Sequence, residues 1–174
     1  MSNLRLINET SISASANTFS ITDIFTSDFS IFKLQLKDFV NDSACYLNAR
    51  FINSSGSAVA TSYDNAQHLT DFGSTSSDNN STSRTKIEYL SYFGSGATNN
   101  TDLTMYILNP LLETSYTYLI NQGMGYIGRG QHSKSISVLK QKSKITGIQF
   151  SAEYVSSINL TSGTVKTYGL RVDS

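Results

Sequence analysis

Two histidines, one cysteine and a thin scatter of carboxylates are the groups in this chain that could do chemistry. A zinc centre needs three or four clustered nitrogen or sulfur ligands. His68 and His132 stand far apart, with no H-x-H or H-E-x-x-H around either, so no metal site is expected. Asp78-Asn79-Asn80 matches part of a calcium loop, but the other ligand positions and the closing Glu are missing. It reads as a hydrated Asx-rich turn. Gly94-Ser95-Gly96 is too short for the G-x-S-x-G elbow of a serine hydrolase. Gly123-Met124-Gly125 and Gly128-Arg129-Gly130 do not match a phosphate loop and read as hairpin glycines. Asp64, Asp71, Glu88, Glu113 and Glu153 could supply the acid pair of a glycosidase, yet nothing sets two of them on one face of a cleft. Cys45 lies in the apolar run Ala44-Cys45-Tyr46-Leu47 and is expected to be a small buried hydrophobe. No catalytic, cofactor-binding or metal-binding residue is assigned, and no cofactor. The chain is expected to work by surface contact rather than as an enzyme.

Contact needs exposed anchors. Tyr89, Tyr92 and Phe93 flank a polar stretch, and Tyr116 and Tyr118 share one strand face. Aromatic rings of this kind stack on sugars or anchor protein interfaces. Tyr116 and Tyr118, however, are expected first as plain core, one inner face of a sandwich, with the exposed platform as the second reading.

The elements that must position these groups are strands. Ser30 to Phe39 alternates, with Phe32, Leu34 and Leu36 on one side and Lys33, Gln35 and Lys37 on the other. Similar runs are Leu4 to Ile12, Thr18 to Ile24, Ala44 to Ile52 and Lys86 to Tyr92. Others are Leu103 to Leu108, Ser115 to Ile120, Ser135 to Leu139, Ile145 to Phe150 and Thr164 to Val172. No segment keeps a helical period over three turns, and Tyr63 to Leu69 reads as a single turn or as a strand. About ten short strands between polar turns predict an all-β, antiparallel β-sandwich of jelly-roll-like type. One domain is expected over 1–174. Gly73 to Ser83, nearly all Ser, Thr, Asp and Asn, is expected to be a solvent loop, and Ser95 to Thr101 a shorter one. Asn109-Pro110 should stop a strand, and Gly163 should sit in a tight turn before the last strand.

Composition agrees. Ser, Thr and Asn make up about a third of the 174 residues, well above the usual share. The net charge of zero argues against a nucleic-acid partner. Lys134, Lys140, Lys142 and Lys144 read as a solvated strand edge. No apolar segment is long enough for a membrane-crossing helix, and no secretory signal is visible near Met1. Synthesis and folding in a reducing cytoplasm are expected, with no membrane partner.

Three segments resemble a family of β-sandwich domains in virion proteins of tailed phages, especially phages of marine bacteria and cyanobacteria. Phe19-Ser20-Ile21-Thr22-Asp23-Ile24 followed by Phe29 to Phe39 is similar to the family's short strand, turn and alternating strand. Leu103 to Pro110 followed by Glu113 to Ile120 is similar to its strand, Asn-Pro, exposed-strand unit. Ile145 to Phe150 together with Ser162 to Leu170 resembles its closing pair, in which a Ser-Gly-Thr turn leads into the last strand. The resemblance spans most of the chain, but not Gly73 to Ser83, and brings no catalytic residues.

It implies a phage virion structural protein on the particle surface. The strand pattern begins close to Met1 and ends close to Ser174, leaving no room for a shaft or attachment region. That points to a capsid decoration (cement) protein, a homotrimer bound to the major capsid protein on the outside of the shell. The alternative is a tail fibre, adaptor or receptor-binding protein contacting host surface glycans.

Overall fold

The computed structural model describes residues 3–12, 15–73, 76–94, 101–126, 130–153 and 158–171. It is an antiparallel β-sandwich with no helix among them. In chain order the strands are β1 (Leu4–Ile12), β2 (Thr18–Ile21), β3 (Ile31–Asn41), β4 (Cys45–Asn53), β5 (Tyr63–Asp71) and β6 (Ser77–Arg84). They continue as β7 (Ile87–Phe93), β8 (Thr101–Leu108), β9 (Thr117–Tyr126), β10 (Gly130–Leu139), β11 (Ile145–Glu153) and β12 (Leu160–Leu170). Eight of them form one sheet in the order β1-β12-β3-β8-β9-β10-β5-β6, and the other four form a second in the order β2-β11-β4-β7.

Period-two alternation sets the core. Phe32, Leu34 and Leu36 of β3 are fully buried and belong to one cluster with Leu47 and Phe51 of β4 and Ile148 and Phe150 of β11. Pleating sends every second side chain of these strands between the sheets. Near its end β3 breaks step. Its register against β8 shifts between Leu36 and Phe39, and Asp38 takes a left-handed conformation at φ 55°. This bulge turns Phe39 inward, where it stacks on Phe93 with ring centroids 6.2 Å apart.

Several expectations change. Most of the expected solvent loop at Gly73 to Ser83 is strand, because Ser77–Arg84 forms the edge strand β6 against β5. An edge strand needs a partner for only one side of its backbone, so it can form with almost every side chain in water. Asp78-Asn79-Asn80 therefore lies in β6 rather than in a turn. Tyr63 to Leu69 is strand, not a helical turn.

Gly163 lies inside β12, opposite Ile12, not in a turn before the strand. It has φ 147°, and a Cβ there would come within 2.6 Å of the Phe39 ring. Gly123 and Gly125 sit within β9 rather than in a hairpin turn, and a Cβ on Gly123 would meet Leu103 at 2.6 Å. Gly128 and Arg129 lie outside the described residues, as does the loop expected at 95–101 except for Thr101, which begins β8 instead. The four lysines form no common edge: Lys134 points outward from the interior strand β10, and the other three follow that strand. Asn109, with φ 60°, ends β8 at Leu108 as its sequence predicts.

Candidate functional site: the outer face of the large sheet

The small sheet covers only part of the large one, and this decides what the remaining strands must carry. Its edge strand β7 packs across β9, β10 and β5. An edge strand offers carbonyls without a ladder partner, and buried carbonyls must be bonded. Side chains of the large sheet supply the donors. Asn121 Nδ2 and Ser133 Oγ donate to the Leu90 carbonyl at 2.6 and 2.8 Å. Asn65 Nδ2 donates to the Lys86 carbonyl at 3.2 Å, and Gln67 Nε2 donates to that of Tyr89.

Beneath β7 the inner positions Asn65, Gln67, Asn121 and Ser133 are thus polar, while Tyr63, Leu119 and Leu139 of the same strands stay in the core, and alternation sends the other apolar residues of β9 and β10 outward. β9 buries Thr117 and Asn121 but exposes Tyr118, Ile120 and Met124. β10 buries Ser133, Ser135 and Ser137, while Ile136 points to solvent. Ile120, Ile136 and Met124 are 45%, 51% and 63% exposed.

Strand register lines these residues up. One row across the sheet runs Leu6, Tyr168, Lys33, Tyr106, Ile120, Ile136. The next runs Leu4, Leu170, Ile31, Leu108, Tyr118, Val138. On the other side a polar row passes through Lys166, Gln35, Thr104, Gln122, Lys134 and His68. A groove of about 870 Å³ runs over the centre, lined among others by Lys33, Tyr106, Ile120, Met124 and Ile136. Apolar patches beyond a few hundred Å² are uncommon on monomers and mark contact sites.

Ion pairs edge this face. His68 Nδ1 meets Asp78 Oδ1 at 2.7 Å, Lys140 meets Asp64 at 2.9 Å, and Lys166 meets Glu9 at 3.3 Å. Hydrogen bonds from Lys140 and from the Ser83 N–H hold the Asp64 carboxyl below the usual range. The two histidines, distant in sequence, occupy the adjacent strands β5 and β10. Burial first, then the charges of Lys134 and His68, push the pKa of His132 down. Among the described residues no three His, Cys, Asp or Glu side chains gather where they could hold a metal.

The other groups singled out by sequence are dispersed. Cys45 is fully buried, and desolvation, with a smaller push from Asp42, raises its thiol to about 12. Phe93 is core, whereas Tyr89 and Tyr92 both meet the ring of Tyr46 on the small sheet. Tyr116 and Tyr118 are exposed, so the expectation that both are core is overturned. Tyr116 also lies just before β9, not within it. The structure does bring two carboxylates together: Glu88 and Glu153 line one cavity of about 220 Å³. Glu88 is bound by Arg84 at 2.8 Å and Glu153 by Lys86. A glycosidase acid needs a raised pKa. Burial, the largest single effect, works in that direction on Glu153, but Lys86, Ser151 and Arg50 together outweigh it and the pKa is lowered.

The sequence reading missed the outer rows because it treated each strand's apolar side as its inner side. Only the pairing of β9 and β10 with the polar positions under β7 reveals the inversion. Compared with known proteins, the chain matches no family model, no curated protein and no solved structure.

Proposed function

We propose that this chain is a non-catalytic virion surface protein, a capsid decoration protein that associates as a homotrimer and binds the major capsid protein. The observation that carries the contact function is the outward-facing apolar surface formed by Tyr106, Tyr118, Ile120 and Ile136. The virion setting comes from the resemblance of the three sequence segments.

The occupant of the face is a neighbouring copy of the chain. From β1 to β10 the apolar rows cross six strands, roughly 24 Å at about 4.8 Å per strand. That supplies a good part of the ~800 Å² that each partner contributes to a standard interface. The face carries both signs of charge, Lys33 and Lys134 beside Asp102, so a second copy offers each a partner. Three linked copies then hold the shell through several weak contacts at once, which raises the effective concentration of each.

Light scattering on the purified protein tests the assembly, and quantitative mass spectrometry of purified particles tests the setting. A trimer in solution and one trimer per local threefold of the capsid are expected. A monomer at every concentration overturns the self-association. A handful of copies travelling with tails moves the protein to the adaptor or receptor-binding reading.

A further inference from the structure

On the opposite side of the sandwich, the structure points to a second site: we propose that the cleft around Tyr89, between β7 and the overhanging β5–β6 pair, binds a neutral saccharide. This site contains none of the residues of the apolar rows, although Gln67 and Asn80 line both it and the groove over the outer face, and it does not depend on the decoration reading.

Tyr89 is held in an unusual state. Its φ is 56°, a left-handed conformation that bulky residues rarely adopt. The backbone is pinned from both sheets. The Tyr89 N–H donates to Asn48 Oδ1 at 3.1 Å, and its carbonyl accepts from Gln67 Nε2. Between Leu47 and Ala49 the pairing of β4 with β7 slips, which makes room for this turn of the chain. The result is an aromatic ring, 36% exposed, standing edge-to-face on Tyr46 at 4.6 Å. Strain of this kind persists only where the surroundings over-determine it, and it gathers at ligand sites.

Two cavities flank that ring, and both are lined by Glu88 and Tyr89. One, of about 220 Å³, includes Lys86 and Glu153. The other, of about 270 Å³, has Asn65 and Gln67 of β5 in its lining, with Ser81 and Asn79 beside them on the paired strand β6. Each is smaller than the ~300 Å³ at which drug-sized pockets begin, the scale of one sugar ring on either side of the tyrosine.

Two of these side chains lack hydrogen-bond donors. Asn65 and Gln67 are 8% and 5% exposed. Their amide nitrogens are spent on the carbonyls of Lys86 and Tyr89. Their amide oxygens, Asn65 Oδ1 and Gln67 Oε1, find no partner among the described residues. A buried carbonyl oxygen left in this state costs free energy; both oxygens are closed to solvent as the side chains stand, and a ligand hydroxyl recovers that cost when the Asn65 and Gln67 amides turn toward the cavity they line. The walls balance in charge, because Arg84 binds Glu88 through two bonds at 2.8 and 2.9 Å and Lys86 binds Glu153. With no excess of either sign, the cleft favours a neutral ligand. A ligand that is neutral, rich in hydroxyls and able to lay C–H groups on a tyrosine face is a saccharide.

The chain has ten tyrosines and no tryptophan, so tyrosine emission reports binding directly. The probes are maltose, cellobiose, lactose and chitobiose, titrated up to about 10 mM, above the millimolar range of weak recognition. At least one should give a saturable change. Tyr89→Asn, which removes the ring but tolerates the left-handed backbone, should weaken that binding tenfold or more. Asn79→Ala, on the exposed strand β6, should weaken it severalfold without altering the melting temperature. Ser27→Ala, exposed and lining neither cavity, should leave it unchanged. No saturable change with any of the four sugars, or a change that survives both Tyr89→Asn and Asn79→Ala, overturns the proposal.

Discussion

The hydroxyl of Tyr63 is inserted into a strand pair to which it does not belong: it accepts the backbone N–H of Phe51 at 2.9 Å and donates to the Val59 carbonyl at 3.1 Å. The Val59 N–H still donates to the Phe51 carbonyl at 2.8 Å. One phenol from the large sheet thus completes, by a bridge, the ladder of a strand in the small sheet. Its ring is fully buried beside that of Phe51, and burial raises its pKa. Tyr63→Phe keeps the ring and strands both backbone groups. A loss of about 1–3 kcal/mol in urea denaturation is expected; an unchanged midpoint would mean the bridge contributes nothing.

Leu34 tests the core. It is fully buried on β3 among residues of both sheets. Leu34→Ala should cost about 2–5 kcal/mol, the usual range for a buried leucine whose site cannot collapse. Equilibrium unfolding with an unchanged m-value is the measurement, and a cost below that range would place Leu34 at a compliant part of the core.

Cys45 should be inert in the native state. Its thiolate is disfavoured by burial, and Asn41 Nδ2 lies 3.4 Å from its sulfur. Labelling by a thiol reagent at neutral pH should proceed only as fast as the protein opens. Cys45→Ser should lower stability without changing the oligomeric state. Rapid labelling of the folded protein would contradict the burial.

Ile120 and Ile136 face each other across β9 and β10. Replacing both by Lys places two charges at the centre of the proposed interface. The folded monomer should be little affected, since both side chains already sit in water. Assembly should fail, with the trimer peak in size-exclusion chromatography replaced by a monomer. A trimer that survives both substitutions would move the interface elsewhere.

Glu153 sets a pH dependence. Burial opposes ionisation most strongly, but Lys86, with help from Ser151 and Arg50, outweighs it, and the folded pKa is depressed. A depressed carboxyl stabilises the fold above its unfolded pKa and ceases to do so as pH falls through the folded value. Glu153→Gln should therefore be less stable than the parent near neutrality. The gap should begin to close as pH falls through the ordinary glutamate range at about 4.3 and vanish below the depressed folded pKa. Denaturation curves across that window give the answer, and a gap that is constant with pH would rule out the ion pair as its source.

How much of this was legible in the sequence follows from what alternation encodes. Phe32, Leu34, Leu36, Ile148 and Phe150 sit on strands whose apolar side is also the inner side, so period two was enough to place them in the core. The same pattern sufficed for the all-β class and for most of the strands. It could not find β6, whose polar side chains bury no apolar surface and which is held by backbone pairing to β5 and by polar contacts such as His68–Asp78 and Arg84–Glu88. Nor could it orient β9 and β10. A run such as Tyr118-Leu119-Ile120-Asn121 is apolar on both faces, and which side turns inward depends on what lies beneath. Here β7 lies beneath, with carbonyls that need donors, and Asn121 and Ser133 satisfy them. That requirement arises only when the two sheets meet. Local chemistry in the sequence therefore determined the class and the central core. Packing of an edge strand against a larger sheet decided which apolar residues face the solvent, and with them the candidate contact face.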